Sequence, residues 1–337
     1  MRITTNAILR DYKSNLATTI DNLNLSRTHV MTQRSFNSVA EDPGAAARAS
    51  QLHRKYYKVQ DNLSMLTDIQ SRQDGQEGSL TQVSNIIKTI SEDYNVQAMS
   101  GDKQTMETRQ TYASAIRQYQ KSMVLSLNST YEETFLFAGA DGKNAPFELS
   151  SDGSVLTYRG ISVDAEQGTS DYASLTNLSN ETLYVDLGMG LALDEAGQVA
   201  PSSAFNMSLP GIKAIGYGKD KDGMSNNAVV LADQLADLLE AENFDAEAYG
   251  KLADKFKSVS TNIVNGITDL GVKSEFLTTT KTRLEDSNIS LQEQMEKVEG
   301  VDIAAAITDY MWNQYAYDAA LKVGTSILSP SFIDFMK

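Results

Sequence analysis

The stretch FKSVSTNIVNGITDLGVKSEFLTTTKTRLEDSNISLQEQMEKV, residues 256–298, decides the architecture. Phe256, Ile263, Leu270, Leu277, Leu284, Leu291 and Val298 recur every seven residues, and Ile267 and Met295 reinforce the same face. A seven-residue apolar repeat draws one stripe along a helix and marks it as a surface that other helices must cover. At about 1.5 Å per residue this helix spans roughly 65 Å, longer than a small domain is wide, so it needs partners along its length.

The pattern continues in both directions. Toward the carboxyl end, Val301, Ile303, Ile307, Tyr310, Leu321 and Leu328 extend an amphipathic helix almost to Pro330. At the amino end, Leu9, Leu16, Leu23 and Val30 form the seam of a first helix, with Tyr12 and Ile20 on neighbouring positions. Residues 38–44 break the period, and Asp42-Pro43 suits a helix cap followed by proline at the first helical position. The second helix that starts there carries Leu52, Val59, Leu66, Leu80, Ile87 and Tyr94 in one register, with Gln73 the only polar member. It is expected to reach about Ala98, weakened by roughly 1 kcal/mol at each of Gly75 and Gly78. After Ser100-Gly101-Asp102, a third helix shows Tyr112, Ile116, Tyr119 and Met123 and should end near Tyr131.

From about Phe137 the texture changes. Glycine, aspartate and serine interrupt short runs such as Val155–Tyr158 and Thr182–Val185, which read as strands of a turn-rich β module. Helical spacing returns from Ala228 to about Tyr249, as one or two short helices. The expected fold is therefore mainly α with a β-rich insert: long helices from both ends form a coiled-coil-like bundle around a central β module. The expected boundaries are an amino-terminal assembly helix over 1–40, a helical bundle over 41–139, and an acidic, outward-facing β-rich module over 140–227. Short helices over 228–250 then lead to carboxyl-terminal helices over 251–337 that pair with the amino-terminal part.

Composition narrows the chemistry. The 337 residues exceed what one core readily organises, so at least two domains are expected. The chain has no cysteine, which excludes disulfides and thiolate chemistry. No stretch approaches the roughly 20 apolar residues of a membrane span. Residues 140–250 hold 5 basic and 18 acidic side chains, a balance of −13, against +1 for 1–139 and −3 for 251–337. That concentration of acid disfavours nucleic acid and anionic membranes as partners.

Motifs for chemistry are missing or incomplete. His29 and His53 are the only histidines and do not share a His-Glu-x-x-His arrangement. Asp220-Lys221-Asp222-Gly223 looks like the turn of a calcium loop, but Gly218 and Val229 stand where its end ligands belong, so a charged surface turn is expected. Gly188-Met189-Gly190 and Gly216-Tyr217-Gly218 lack the third glycine of a dinucleotide loop. No catalytic, metal-binding or cofactor-binding residues are assigned, and no enzymatic activity is expected.

Several stretches together resemble the flagellin superfamily, and within it the hook-associated family at the hook-filament junction. Arg2-Ile3-Thr4-Thr5-Asn6 is similar to the family's opening, and residues 36–46, Phe36 to Ala46, to its asparagine-serine, acidic and small-residue turn, with Glu41 where aspartate is usual. Phe135-Leu136-Phe137-Ala138-Gly139 with Pro146-Phe147 resembles elements that set junction proteins apart from filament flagellin. Residues 301–307, 317–321 and 326–328 resemble the closing helix, while Ser331–Phe335 departs from the usual ending. The resemblance implies a structural subunit joining hook to filament, located outside the cell on the flagellum and exported by the flagellar type III route without a cleaved signal peptide. Its implied partners are a companion junction protein, flagellin, a ring of its own copies and an export chaperone. The residues expected to form the assembly interface are Leu9, Leu16, Leu23, Val30, Phe256, Ile263, Leu270, Leu277, Leu284, Leu291, Val298, Ile307, Leu321 and Leu328, with Asp42 and Pro43 as helix cap. Filament flagellin itself, or a secreted coiled-coil adhesin, would carry similar seams.

Overall fold

The computed structural model describes residues 2–99, 105–188 and 190–328, and the chain divides into two compact units, Met1–Asp61 with Leu284–Lys337 and Asn62–Arg283. Helix α1 covers Arg2–Thr32 and α2 Pro43–Thr89; a π-helical turn, Ile90–Tyr94, then leads into the short α3, Asn95–Met99. Helix α4 covers Met106–Leu127. Strands β1 (Thr130–Tyr131), β2 (Thr134–Phe135), β3 (Phe147–Leu149), β4 (Leu156–Tyr158) and β5 (Ile161–Ser162) follow, then α5 (Ser170–Ser179), β6 (Tyr184–Val185) and β7 (Phe205–Asn206). The chain continues through α6 (Gly211–Ile215), α7 (Ala228–Glu240), α8 (Ala246–Glu299) and α9 (Ile303–Leu328).

The second unit is organised by heptad stripes. On α2, Leu66, Leu80 and Ile87 of the expected register are buried, and on α8 so are Phe256, Ile263, Leu270 and Leu277. Helix α7 buries nine of its thirteen residues, among them Val229, Leu231, Leu235 and Leu239, and packs against α4. Its start is fixed by the fully buried Asn227, whose side-chain oxygen accepts the N–H groups of Val229 and Val230 while its Nδ2 donates to the carbonyl of Gly216. Gly216 sits at φ 84°, and a Cβ there would lie 2.1 Å from the carbonyl oxygen of Asn226, so only glycine lets this cap close. Arg117 of α4 reaches Asp237 at 2.6 Å, Glu240 at 3.2 Å and Asp233 on α7. Burial opposes its charge, but the three carboxylates outweigh that and raise the guanidinium above its ordinary pKa.

The strands are shorter than the sequence suggests. Strands β3, β4 and β5 make one antiparallel sheet, with Phe147 opposite Tyr158 and Leu149 opposite Leu156; β1–β2 and β6–β7 are separate pairs. Strands of two or three residues cannot carry a sheet core by themselves, so the insert leans on helices. Two of these, α5 and α6, fall where only strands and turns are expected. Other boundaries move too: α4 stops at Leu127 so that Thr130–Tyr131 can pair as β1, and the long helix starts at Ala246, absorbing the second of the short helices placed before 251. The break in α2 comes at the π-turn and not at its glycines; Gly75 instead admits Leu136, whose Cδ1 would stand 3.0 Å from an added Cβ.

Gln73 interrupts the apolar stripe of α2, and its environment makes a test. It is almost fully buried, and neither atom of its amide has a hydrogen-bond partner among the described residues. An unpartnered buried amide costs about 1–3 kcal/mol. Gln73→Leu should therefore raise the thermal midpoint of unfolding by roughly 2–8 °C in calorimetry; an unchanged or lowered midpoint would show that the amide is satisfied in solution.

Candidate assembly interface

In the first unit, α1 packs against α9. The face of α9 turned inward is Ala306, Tyr310, Asn313, Tyr317, Ala320 and Gly324, all buried or half-buried at alternating spacings of four and three. Opposite them on α1, Leu9, Tyr12, Leu16, Leu23 and Val30 are half-buried and Ser26 is buried. The pair is locked near its open end by Tyr12, whose hydroxyl donates to the carbonyl of Ala320 at 3.1 Å; a Cβ on Gly324 would meet that hydroxyl at 2.0 Å.

The large apolar side chains of α9 are on the other side. Ile303, Ile307, Met311, Trp312, Tyr315, Leu321 and Val323 are exposed, Trp312 at 69%. On α1, Ile8, Ile20, Leu25 and Met31 are exposed as well. A helix that turns alanine, glycine, asparagine and two tyrosines inward while presenting isoleucine, methionine and tryptophan inverts the usual arrangement for a soluble surface, and clustered exposed apolar side chains of this kind mark contact surfaces.

The turns beside this pair are tied together. Ser35 N–H donates to the carbonyl of Glu299 at 2.7 Å and Val301 N–H to that of Gln33 at 3.1 Å. The Glu299 carboxylate receives Arg34 on one oxygen and His53 on the other, both at 2.9 Å. His29 faces Glu41 at 3.2 Å; the N–H of Asn37, and then His29, hold the Glu41 carboxyl below its ordinary pKa. Helix α2 begins at Pro43, and Asp42 Oδ1 accepts the N–H of Ala45 at 2.8 Å. Both histidines are thus structural partners of carboxylates, and among the described residues no three metal-ligating side chains converge.

These positions divide the residues expected at the interface. Ile307 and Leu321 are exposed at 43% and 40%, while Leu9, Leu16, Leu23, Val30 and Val298 are half-buried. Phe256, Ile263, Leu270 and Leu277 are buried in the second unit, and Leu284 and Leu291 keep only 7% and 8% exposure in the first. The reason is that α8 finds its cover within its own chain, so its stripe is core and offers no free surface. The side chain of Leu328, the side chains of Arg2–Asn6, and Ser100–Asp102, Met189, Pro330 and Ser331–Phe335 lie outside the described residues. Met311, Trp312 and Tyr315, not among the residues expected at the interface, are exposed on α9 with Ile307; their dense apolar clustering was the available signal.

The Asp220 turn is occupied internally: Oδ1 accepts the N–H groups of Asp222 and Met224, both at 3.0 Å, and Oδ2 pairs with Lys255 at 2.9 Å. Among the described residues no helix is long and apolar enough to cross a membrane.

This fold, with long helices at both ends of the chain and short strands and small helices between them in sequence, is similar to that of solved flagellar hook-associated proteins. A hook-associated protein from Vibrio parahaemolyticus superposes with a TM-score of 0.58 at 17% identity, over 77% of this chain and 100% of that one. Hook-associated protein 3 from Legionella pneumophila gives 0.50 at 14% identity, over 74% and 98%, and FlgL from Xanthomonas campestris 0.50 at 12%, over 74% and 99%. No family model matches the chain, and no curated protein matches it.

Burial sets the consequence for α8. Leu277→Asp places a charge at a site with 0% exposure. It should lower the unfolding midpoint of the isolated subunit by roughly 10 °C or more; a subunit melting like the wild type would show that Leu277 is a free surface after all.

Proposed function

We propose that this chain is a structural, non-enzymatic subunit of the bacterial flagellum that joins the hook to the filament. It assembles through α1 and α9 with further copies of itself, a companion junction protein and the first flagellin subunits. The single observation that carries the reading is the outward apolar face of α9, Ile307, Met311, Trp312 and Tyr315, which the subunit's own fold leaves uncovered. Burying such a face stabilises by about 25 cal/mol per Å² of apolar area, a gain available only when another molecule lies against it. The shared fold with hook-associated proteins supports the place of that molecule along the flagellar axis. Export by the flagellar type III route, with an accompanying chaperone, follows from the same reading.

Exposed residues allow assembly to be separated from folding. Ile307→Asp and Trp312→Ser should leave the melting midpoint of the free subunit within roughly 2 °C of wild type, since exposed positions contribute little to its stability. In a strain lacking the gene, neither variant should restore swimming, and electron microscopy should show bare hooks with flagellin shed into the medium. Restored filaments in both strains would refute the interface. Long filaments formed by the pure wild-type protein would instead make it the filament subunit.

A further inference from the structure

We propose that copies of this chain dock side by side through α2 and α8, the acidic strip of one copy's α8 lying on the basic strip of the next copy's α2. This contact, separate from the outward face of α9, rests on the reading that the chain assembles with further copies of itself.

Charge is sorted by helix in the first unit. Over residues 43–60, α2 carries Arg48, Arg54, Lys55 and Lys58 and no acidic side chain. Over residues 284–299, α8 carries Glu285, Asp286, Glu293, Glu296 and Glu299 against the single cation Lys297. Glu299 is taken by Arg34 and His53. The other four carboxylates of α8 and the four cations of α2 are exposed, and none of them has an ion pair or side-chain hydrogen bond among the described residues.

Each strip borders one large exposed apolar side chain. On α8, Ile289 is 56% exposed; Glu285 and Asp286 stand four and three residues before it, Glu293 and Glu296 four and seven after, all on one helical face. On α2, Tyr57 is 59% exposed beside Arg54 and Lys58. His53 stacks on the Tyr57 ring with centroids 6.3 Å apart and is itself held by Glu299. An isoleucine ringed by carboxylates complements a tyrosine flanked by cations: the apolar pair supplies burial, and the charges set register and partner.

The placement suits two copies and not one. His53 meets Glu299, and Gln292 donates to the Tyr56 hydroxyl at 3.2 Å, so the two helices run antiparallel with their strips at overlapping heights. The strips cover about 15 Å of α2 and about 17 Å of α8. At about 100° per residue, the basic strip lies about 120° behind the Leu52, Tyr56 and Val59 seam, and the acidic strip about 150° ahead of the Leu284 and Leu291 seam. Antiparallel packing turns these offsets to opposite sides of the pair, so the strips do not neutralise each other within one copy. Complementary surfaces on opposite sides of one body make a head-to-tail contact, which repeats from copy to copy and forms a ring where the rotation closes.

Crosslinking of the full-length protein tests the contact, and the absence of cysteine from the chain makes each introduced thiol unique. Concentrated Tyr57→Cys and Ile289→Cys variants, mixed at low salt and oxidised, should form a mixed dimer, while either variant alone should give little. The yield should fall steeply at about 0.5 M salt, which screens exposed charges. Glu293→Lys with Glu296→Lys in the Ile289→Cys variant should lower the yield about fivefold or more, the worth of one or two exposed ion pairs. Arg54→Glu with Lys58→Glu in the Tyr57→Cys variant should then restore it. No mixed dimer at low salt, a yield that the reversal leaves unchanged or its counterpart fails to restore, or equal crosslinking by either variant alone overturns the proposal. Attachment of the wild-type subunit to isolated hooks is measured separately: hook binding without the mixed dimer defeats this contact alone, and the mixed dimer without hook binding defeats the flagellar reading alone.

Discussion

The close approach of α1 to α9 is the constraint from which the rest of the assembly account follows. Gly324 and Ala320 let Tyr12 lie against the helix and bond its backbone, and Ala306 is buried toward the other end of α9. With small residues given over to the intramolecular contact, the bulky apolar residues of α9 must point elsewhere. Ile307, Met311, Trp312 and Tyr315 stay exposed among the described residues. The subunit is therefore stable in its second unit, where α7 and α8 supply a closed core, and unfinished in its first.

The two apolar stripes of the carboxyl-terminal region have opposite fates. Periodicity reveals that a stripe exists and which residues share it, and both were legible. It does not reveal what covers the stripe. From Phe256 to Leu277 the cover is the chain itself, so residues with the cleanest heptad spacing turned out to be core. On α9 the inward seam runs through Ala306, Tyr310 and Tyr317, a weaker signal than the isoleucines and the tryptophan of the exposed face.

The insert was the least legible part, for a physical reason. Strands of two or three residues leave almost no alternation to detect, and their pairing depends on turns whose glycines stand at positive φ, such as Gly153 and Gly160. Helix α5 did carry a signal: Thr169 accepts the N–H of Tyr172, and Asp171 sits in the first turn, an ordinary capping pattern hidden among serines and glycines.

The free subunit leaves the outward side of α9 to water, and the chain carries its own reporter there, a single tryptophan at position 312. Fluorescence of Trp312, with a neutral quencher, compares the purified subunit with subunits bound at isolated hooks. Red-shifted emission, freely quenched in the lone subunit and both blue-shifted and shielded on the hook, is the predicted result. Emission already shielded in the lone subunit, or unchanged on the hook, would contradict it.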